Sequence, residues 1–189
     1  HYLPRGDGDD WTYDLIISSI DRSLERMKTE YVDLVQLHSC SVEILERGDV
    51  IRALQDAKAA GKSRHVGYSG DNESAKWAVT SGLFDTLQTS FSLVDQSARI
   101  NLFEDVEAND MGLIIKRPIG NAVWGAVADP RPYEHIPEYT LEYTRRSGVM
   151  GEEGPLANDP NDRIRLALGF TFAHPEVDVT IVGTQRPHH

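Results

Sequence analysis

The sequence has 189 residues, 40% of them hydrophobic and 26% charged, with a formal net charge of -11 and a pI of about 5.0. A chain of this length buries a substantial core, and its acidic balance repels nucleic acid and anionic lipid, so neither is an expected partner. One cysteine, Cys40, excludes an internal disulfide and a thiolate metal cage. No apolar run reaches the roughly 20 residues of a membrane span and the first residues lack a signal-peptide pattern, so a reducing, cytoplasmic setting is expected.

Residues 1–10 are rich in Gly, Asp and Pro and read as a loop. Tyr13, Ile16, Ile17, Ile20, Leu24 and Met27 recur at helical spacing, with Asp9, Asp10 and Asp14 suited to the N-terminal end. The run 31–38, ending in His38, predicts a buried strand, and 39–48 a loop or short helix. A helix over 49–60 turns Val50, Ile51, Leu54 and Ala57 inward and stops at Gly61. A strand follows over 64–69, then a helix capped by Asp71 or Asn72 that ends at Gly82. Residues 84–91 predict a strand, 97–109 a helix with Ile100, Phe103 and Val106 on one face, and 112–116 a short strand.

The rhythm breaks over 120–160, a long irregular loop region in which only 137–147 has helical character. It resumes with a helix over 162–173 and a last strand over 177–182. Alternating helices and strands imply a parallel sheet in a single domain, either doubly wound or of the β/α-barrel type. Five strands alone are too few to close an eight-stranded barrel, which takes roughly 250 residues.

In both architectures, binding residues gather where parallel strands end at their C-terminal edge. His38, Ser69, Gly70, Gln88, Lys116, Arg117, Gly183 and Thr184 stand at such ends. Each also has a structural reading: a histidine packed at a strand end, a strand-to-helix turn at Ser69 and Gly70, a backbone-satisfied glutamine, a solvated pair of cations. Their recurrence at successive strand ends favours a site. Lys116-Arg117-Pro118-Ile119-Gly120 places two cations beside a glycine in an acidic protein, which suits a phosphate.

Other motifs are missing. There is no G-x-G-x-x-G fingerprint and no P-loop. Gly67-Tyr68-Ser69-Gly70-Asp71 resembles a nucleophile elbow, but Asp71 replaces its last glycine and His38 precedes the serine, so a serine hydrolase is disfavoured. No histidine pair with ligand spacing lies within a helix or strand, and no metal site is expected. Asn72-Glu73-Ser74 matches a glycosylation acceptor and is discounted for want of a secretion signal.

Two segments carry a resemblance. Ser23-Leu24-Glu25-Arg26-Met27 followed by Glu30-Tyr31-Val32-Asp33-Leu34-Val35-Gln36-Leu37-His38 resembles the helix and strand that deliver the catalytic histidine of the aldo-keto reductase family. Gly61-Lys62-Ser63-Arg64-His65-Val66-Gly67-Tyr68-Ser69 is similar to the family's G-K-x-R-x-x-G-x-S segment. The Gln88 strand, the 116–120 turn and Ile181-Val182-Gly183-Thr184 follow in the family's order, so the resemblance covers nearly the whole chain.

The resemblance implies a (β/α)8 barrel, of which this chain would hold about strands 4 to 8. It implies reduction of an aldehyde or ketone, or the reverse, by hydride transfer with NADPH or NADH, NADP being preferred. The partner implied is a small carbonyl or alcohol, with a homo-oligomer left open. His38 matches the catalytic histidine, which hydrogen-bonds the carbonyl oxygen. Ser69 and Gln88 match residues that hold the nicotinamide carboxamide. Arg117, Pro118, Ile119, Gly120 and Asn121 match the pyrophosphate loop, and Gly183, Thr184 and Gln185 the start of the adenosine-phosphate segment.

Gly70 stands where the family often has Asn, and Lys116 where many members stack an aromatic ring on the nicotinamide. The family's catalytic Asp, Tyr and Lys would lie ahead of His1, so this segment alone is expected to be inactive. The alternative is a non-catalytic nucleotide-binding module derived from the same barrel. Trp124, Tyr133 and Tyr139 are candidate pocket walls in the 121–160 region.

Overall fold

The computed structural model describes residues 10–124, 137–153 and 160–183. The chain divides into two compact units, His1–Gln88 with Asp105–Gly112, and Thr89–Glu104 with Leu113–His189.

In the first unit α1 (Tyr13–Met27) starts at Thr12, whose hydroxyl accepts a hydrogen bond from Leu15 N at 3.3 Å. Its stripe buries Ile20 and Leu24, but Met27 is 56% exposed, so the inward face ends a turn earlier than its periodicity predicts. β1 (Val32–His38), α2 (Val42–Arg47), α3 (Asp49–Ala59), β2 (Ser63–Ser69), α4 (Asn72–Ser81) and β3 (Thr86–Ser90) follow. The unit boundary cuts β3 after Gln88.

β1 pairs parallel with β2, and β2 with β3. The rows Leu37–Tyr68–Leu87 and Gln36–Gly67–Thr86 alternate in register, so they face opposite sides of the sheet. The first row is buried, on the side where α3 and α4 pack against β2. The second row is the side that matters for a site.

β1 is less buried than its sequence predicts. Leu37 is its one fully buried residue and Tyr31, just before it, is 43% exposed. Among the described residues β1 has a partner along one edge only.

Asp85 ties the start of this layer together. Its carboxylate accepts from Lys58 Nζ at 2.7 Å and Val66 N at 2.8 Å, while its own N–H donates to Val66 O. Burial alone would push the Asp85 carboxyl up, but these bonds outweigh burial and hold it below the usual aspartate range.

The second unit contains the end of β3, then α5 (Ser97–Asn101), the start of α6 (Phe103–Ala108), β4 (Gly112–Lys116) from Leu113 on, a 3-10 turn (Gly120–Ala122), α7 (Glu138–Glu153), α8 (Pro160–Phe172) and β5 (Val179–Thr180). β4 and β5 are parallel, with Ile115 opposite Thr180, and Phe91 N donates to Lys116 O at 3.4 Å beyond the end of β3. Val94, Trp124, Tyr143 and Ala167 form a core cluster, flanked by Leu93, Ile119, Val123 and Met150. Phe91 packs on Phe103, Phe170 and His174 at ring separations of 4.9, 5.4 and 4.9 Å.

Three sequence expectations change here. The helix expected over 97–109 breaks at Leu102 (φ -130°, ψ -34°). The break resets the helical phase, so Leu102, Phe103 and Val106 are buried while Ile100 is 81% exposed. The helix expected over 137–147 runs on to Glu153. Its packed face includes Thr140 and Ser147, which hydrogen-bond rather than fill apolar space, and this hides the period. The strand expected over 177–182 pairs for two residues only, with Ile181 and Val182 half exposed.

Candidate functional site

In the first unit His38, Ser69 and Gln88 stand in one row. His38 is the register partner of Ser69, and Ser69 of Gln88. All three share the face of Gln36, Gly67 and Thr86, one pleat further toward the C-terminal ends of the strands. The backbone ladder continues past the row, with Ser39 N bonded to Ser69 O at 2.8 Å and Gly70 N to Gln88 O at 3.0 Å. Three strand ends are thereby held at one level.

Within the row, Gln88 Nε2 donates to Ser69 Oγ at 3.1 Å. That bond orients the Gln88 amide. It leaves the Gln88 carbonyl oxygen as an acceptor and the Ser69 hydroxyl hydrogen as a donor, neither with another partner among the described residues. Ser69 is 3% exposed, Gln88 half-buried and His38 exposed. A group presenting both an N–H and a C=O is the natural complement of this pair. On the level below, Gln36 Nε2 and Thr86 Oγ1 are buried without partners among the described residues, so the polar face is deeper than the row itself.

Gly70 has a steric reason. A β-carbon there would lie 2.5 Å from Tyr68 Cε1 and 2.7 Å from Tyr68 Oη. Tyr68 is 1% exposed and donates to Cys40 O at 2.7 Å. Burial pushes the Tyr68 phenol up to about 12 and the Cys40 thiol up to about 11. Both groups therefore stay protonated at neutral pH and belong to the core. No sequence pattern announced this arrangement; the signal was Gly70 two residues after an aromatic.

In the second unit the segment Lys116 to Asn121 turns sharply. Arg117, Gly120, Asn121 and Ala122 have φ of 58°, 56°, 58° and 64°. At Gly120 a β-carbon would also meet Val94 Cγ2 at 2.8 Å, so both conformation and space require glycine. Pro118 and Gly120 are buried, while Lys116, Arg117, Ile119 and Asn121 are half-buried. Arg117 Nη1 donates to Ser90 Oγ at 2.6 Å, its Nη2 donates to Tyr139 Oη at 3.3 Å, and its Cζ lies 4.3 Å over the Tyr139 ring. Asn121 Nδ2 donates to Thr140 Oγ1 at 3.0 Å. Ser90 and Thr140 as partners were not foreseen from sequence.

Trp124, expected as a pocket wall, is instead 1% exposed in the core cluster. Its Nε1 lacks a hydrogen-bond partner among the described residues and lies 3.9 Å from where a Gly120 β-carbon would be. An orphaned buried N–H costs about 1–3 kcal/mol, which an arriving anionic oxygen would offset. Positive charge, tight backbone and an unused donor make this turn fit a phosphate-bearing group. Gly183 follows β5 and is exposed. Thr184, Gln185 and Tyr133 lie outside the described residues. No cluster of three or more metal-ligating side chains occurs among the described residues, and no described helix is long and apolar enough to cross a membrane.

The sequence model of the Aldo/keto reductase family matches residues 3–189. L-galactose dehydrogenase of Arabidopsis thaliana is 24% identical over 184 residues, covering 94% of this chain and 56% of that protein. The 6-dehydroglucose reductase of Novosphingobium aromaticivorans is 26% identical over 180 residues, covering 94% and 55%. An aldo-keto reductase from Bacillus halodurans, solved in its holo form, superposes with a TM-score of 0.76 at 20% identity, covering 94% of this chain and 59% of that one. That likeness is one of fold. The chain thus spans little more than half the length of these relatives.

Proposed function

This chain belongs to the aldo/keto reductase family, and from that premise we propose that the whole protein is an NAD(P)H-dependent oxidoreductase acting on a small aldehyde or ketone, or on the corresponding alcohol. The five parallel strands are then strands 4 to 8 of a (β/α)8 barrel. The observation that carries the reading is the row His38, Ser69 and Gln88, held level at three consecutive strand ends.

The cofactor, when bound, exchanges a hydride with the carbonyl carbon. The chain's own residues do the rest of what falls to this segment. Gln88 and Ser69 match a carboxamide, one accepting and the other donating. His38, exposed at the row's end, hydrogen-bonds the carbonyl oxygen and turns the substrate. The turn Arg117, Pro118, Ile119, Gly120 and Asn121 takes the pyrophosphate, with Lys116 adding charge beside it. Gly70, Gly183, Thr184 and Gln185 complete the cofactor contacts, the last three toward the adenosine phosphate. NADPH is the cofactor to test first. A sugar-derived carbonyl is the first substrate class, since both relatives carry sugar names.

In the whole protein, His38→Ala is expected to lower kcat for carbonyl reduction by roughly 10²–10⁴-fold, as loss of a positioned acid–base or hydrogen-bonding group does. NADPH affinity, read by fluorescence titration, stays unchanged. Gln88→Ala is expected to do the opposite, raising the NADPH Kd. We expect the 189-residue segment alone to turn over no aldehyde. NADPH binding without turnover by the whole protein would support a non-catalytic module instead. Absence of any dinucleotide binding would discard the reading.

A further inference from the structure

The turn assigned to the pyrophosphate closes through Gly120 N to Arg117 O at 2.9 Å and Ala122 N to Ile119 O at 3.0 Å, but two of its side chains are held from outside. Arg117, Asn121 and Ala122 all sit in the left-handed region, which non-glycine residues keep only when their surroundings over-determine it. Beside Ser90 and the turn's own backbone, those surroundings include α7. Its first turn offers Tyr139 to Arg117 and Thr140 to Asn121, and further along Ser147 Oγ donates to Val123 O at 3.2 Å.

We propose that Tyr139 and Thr140 are positioning residues that set the phosphate-binding turn by holding the side chains of Arg117 and Asn121. The proposal rests on the dinucleotide reading given above. The geometry at Arg117 is specific. The guanidinium carbon lies 4.3 Å from the centre of the Tyr139 ring while the phenol oxygen accepts from Nη2 and Ser90 Oγ accepts from Nη1. The ring contact plus two hydrogen bonds fixes the guanidinium fork, and its orientation decides whether it can meet a phosphate with two parallel donors. At Asn121 the bond to Thr140 spends an amide hydrogen on the helix and thereby fixes where the amide oxygen faces.

A core role does not explain Tyr139. It is 41% exposed, and its ring neighbours are Arg117 and, at 5.7 Å, Tyr143. Removing an aromatic that is so exposed should change stability little. Its effect should instead appear in binding, and only through Arg117.

The test uses the whole protein and four variants: Tyr139→Ala, Tyr139→Phe, Thr140→Val and Arg117→Ala, with Tyr139→Ala also made in the Arg117→Ala background. NADPH Kd is read by fluorescence titration, with thermal melting and carbonyl turnover alongside. Tyr139→Ala is expected to raise the Kd roughly three- to tenfold, the range a cation–π contact of moderate exposure supports. kcat at saturating cofactor and the melting temperature stay unchanged. Tyr139→Phe retains the ring and most of the affinity. Thr140→Val raises the Kd a fewfold. In the Arg117→Ala background Tyr139→Ala adds nothing, because no guanidinium remains to orient.

If Tyr139→Ala binds NADPH as the unmutated protein does, or weakens it equally with and without Arg117, the positioning role is wrong while the dinucleotide reading stands. Should Tyr139→Ala lose its fold, the nearly isosteric Thr140→Val decides the question, and unchanged affinity there overturns the proposal. If the unmutated protein binds neither NADPH nor NADH, both fall together.

Discussion

Replacing Gly70 by any residue with a β-carbon must displace the Tyr68 ring, whose nearest atom would be 2.5 Å away. The ring cannot swing freely, because its hydroxyl is bonded to Cys40 O and it is 1% exposed. Gly70→Ala is therefore expected to destabilise the protein by about 1–3 kcal/mol, the usual range for overpacking a filled core. A urea unfolding midpoint measures it, and a Tyr68→Leu background should recover part of the loss. From the sequence, Gly70 was legible as a strand-end residue and as a departure from the family's Asn. The steric reason was not, since it depends on where a ring two residues away comes to lie. His38, Ser69 and Gln88 were legible because strand ends can be counted. The bond from Gln88 to Ser69 was not, since it requires the register of β2 on β3.

At the scale of elements α7 carries a charge cluster of its own. Glu142 receives Arg145 through two bonds of 2.9 and 2.8 Å, and Arg146 through one of 2.8 Å. Arg145 first, then Arg146, hold its carboxyl down to about 2 from the usual 4.5. A carboxyl whose folded-state pKa is lowered contributes fully above its unfolded value and loses that contribution as pH falls through the folded one. The support given to α7 should therefore be intact at neutral pH and fade between about 4.5 and about 2. Thermal melts followed by circular dichroism should show Glu142→Gln melting earlier at pH 7, with the gap to the unmutated protein closing toward pH 2. A gap that persists there would argue that the substitution acts through packing. The same helix shows where sequence periodicity runs out. α1 and α3 carry apolar stripes and were legible, whereas α7 packs through Thr140, Tyr143 and Ser147, and only its stretch over 137–147 reads as helical. The break at Leu102 was hidden for a different reason: Ile100, Phe103 and Val106 fit one helical face equally well, and only the break shows that Ile100 is turned outward.

The alternation of helices and strands sufficed to expect a parallel sheet, and among the described residues β1, β2 and β3 pair parallel, as do β4 and β5. Burial of β1 was overestimated because a run of Val and Leu cannot show how many neighbours a strand will have. In the region 120–160 the helix over 137–147 was legible and its continuation to Glu153 was not, and Thr184 and Gln185 lie outside the described residues. In the first unit each strand pairs with the next in the chain, β1 with β2 and β2 with β3. Because the strands are parallel, each pairing has to close a whole helical crossover first, which slows assembly. Asp85, just before β3 and joined to Lys58 on α3 and to Val66 on β2, fastens these segments as the third strand arrives. It then acts in time as well as in space. Stopped-flow refolding of the whole protein should be slower for Asp85→Ala, with unfolding little changed, if that fastening belongs to the folding nucleus. Faster unfolding at an unaltered refolding rate would place the carboxylate among the last contacts to form.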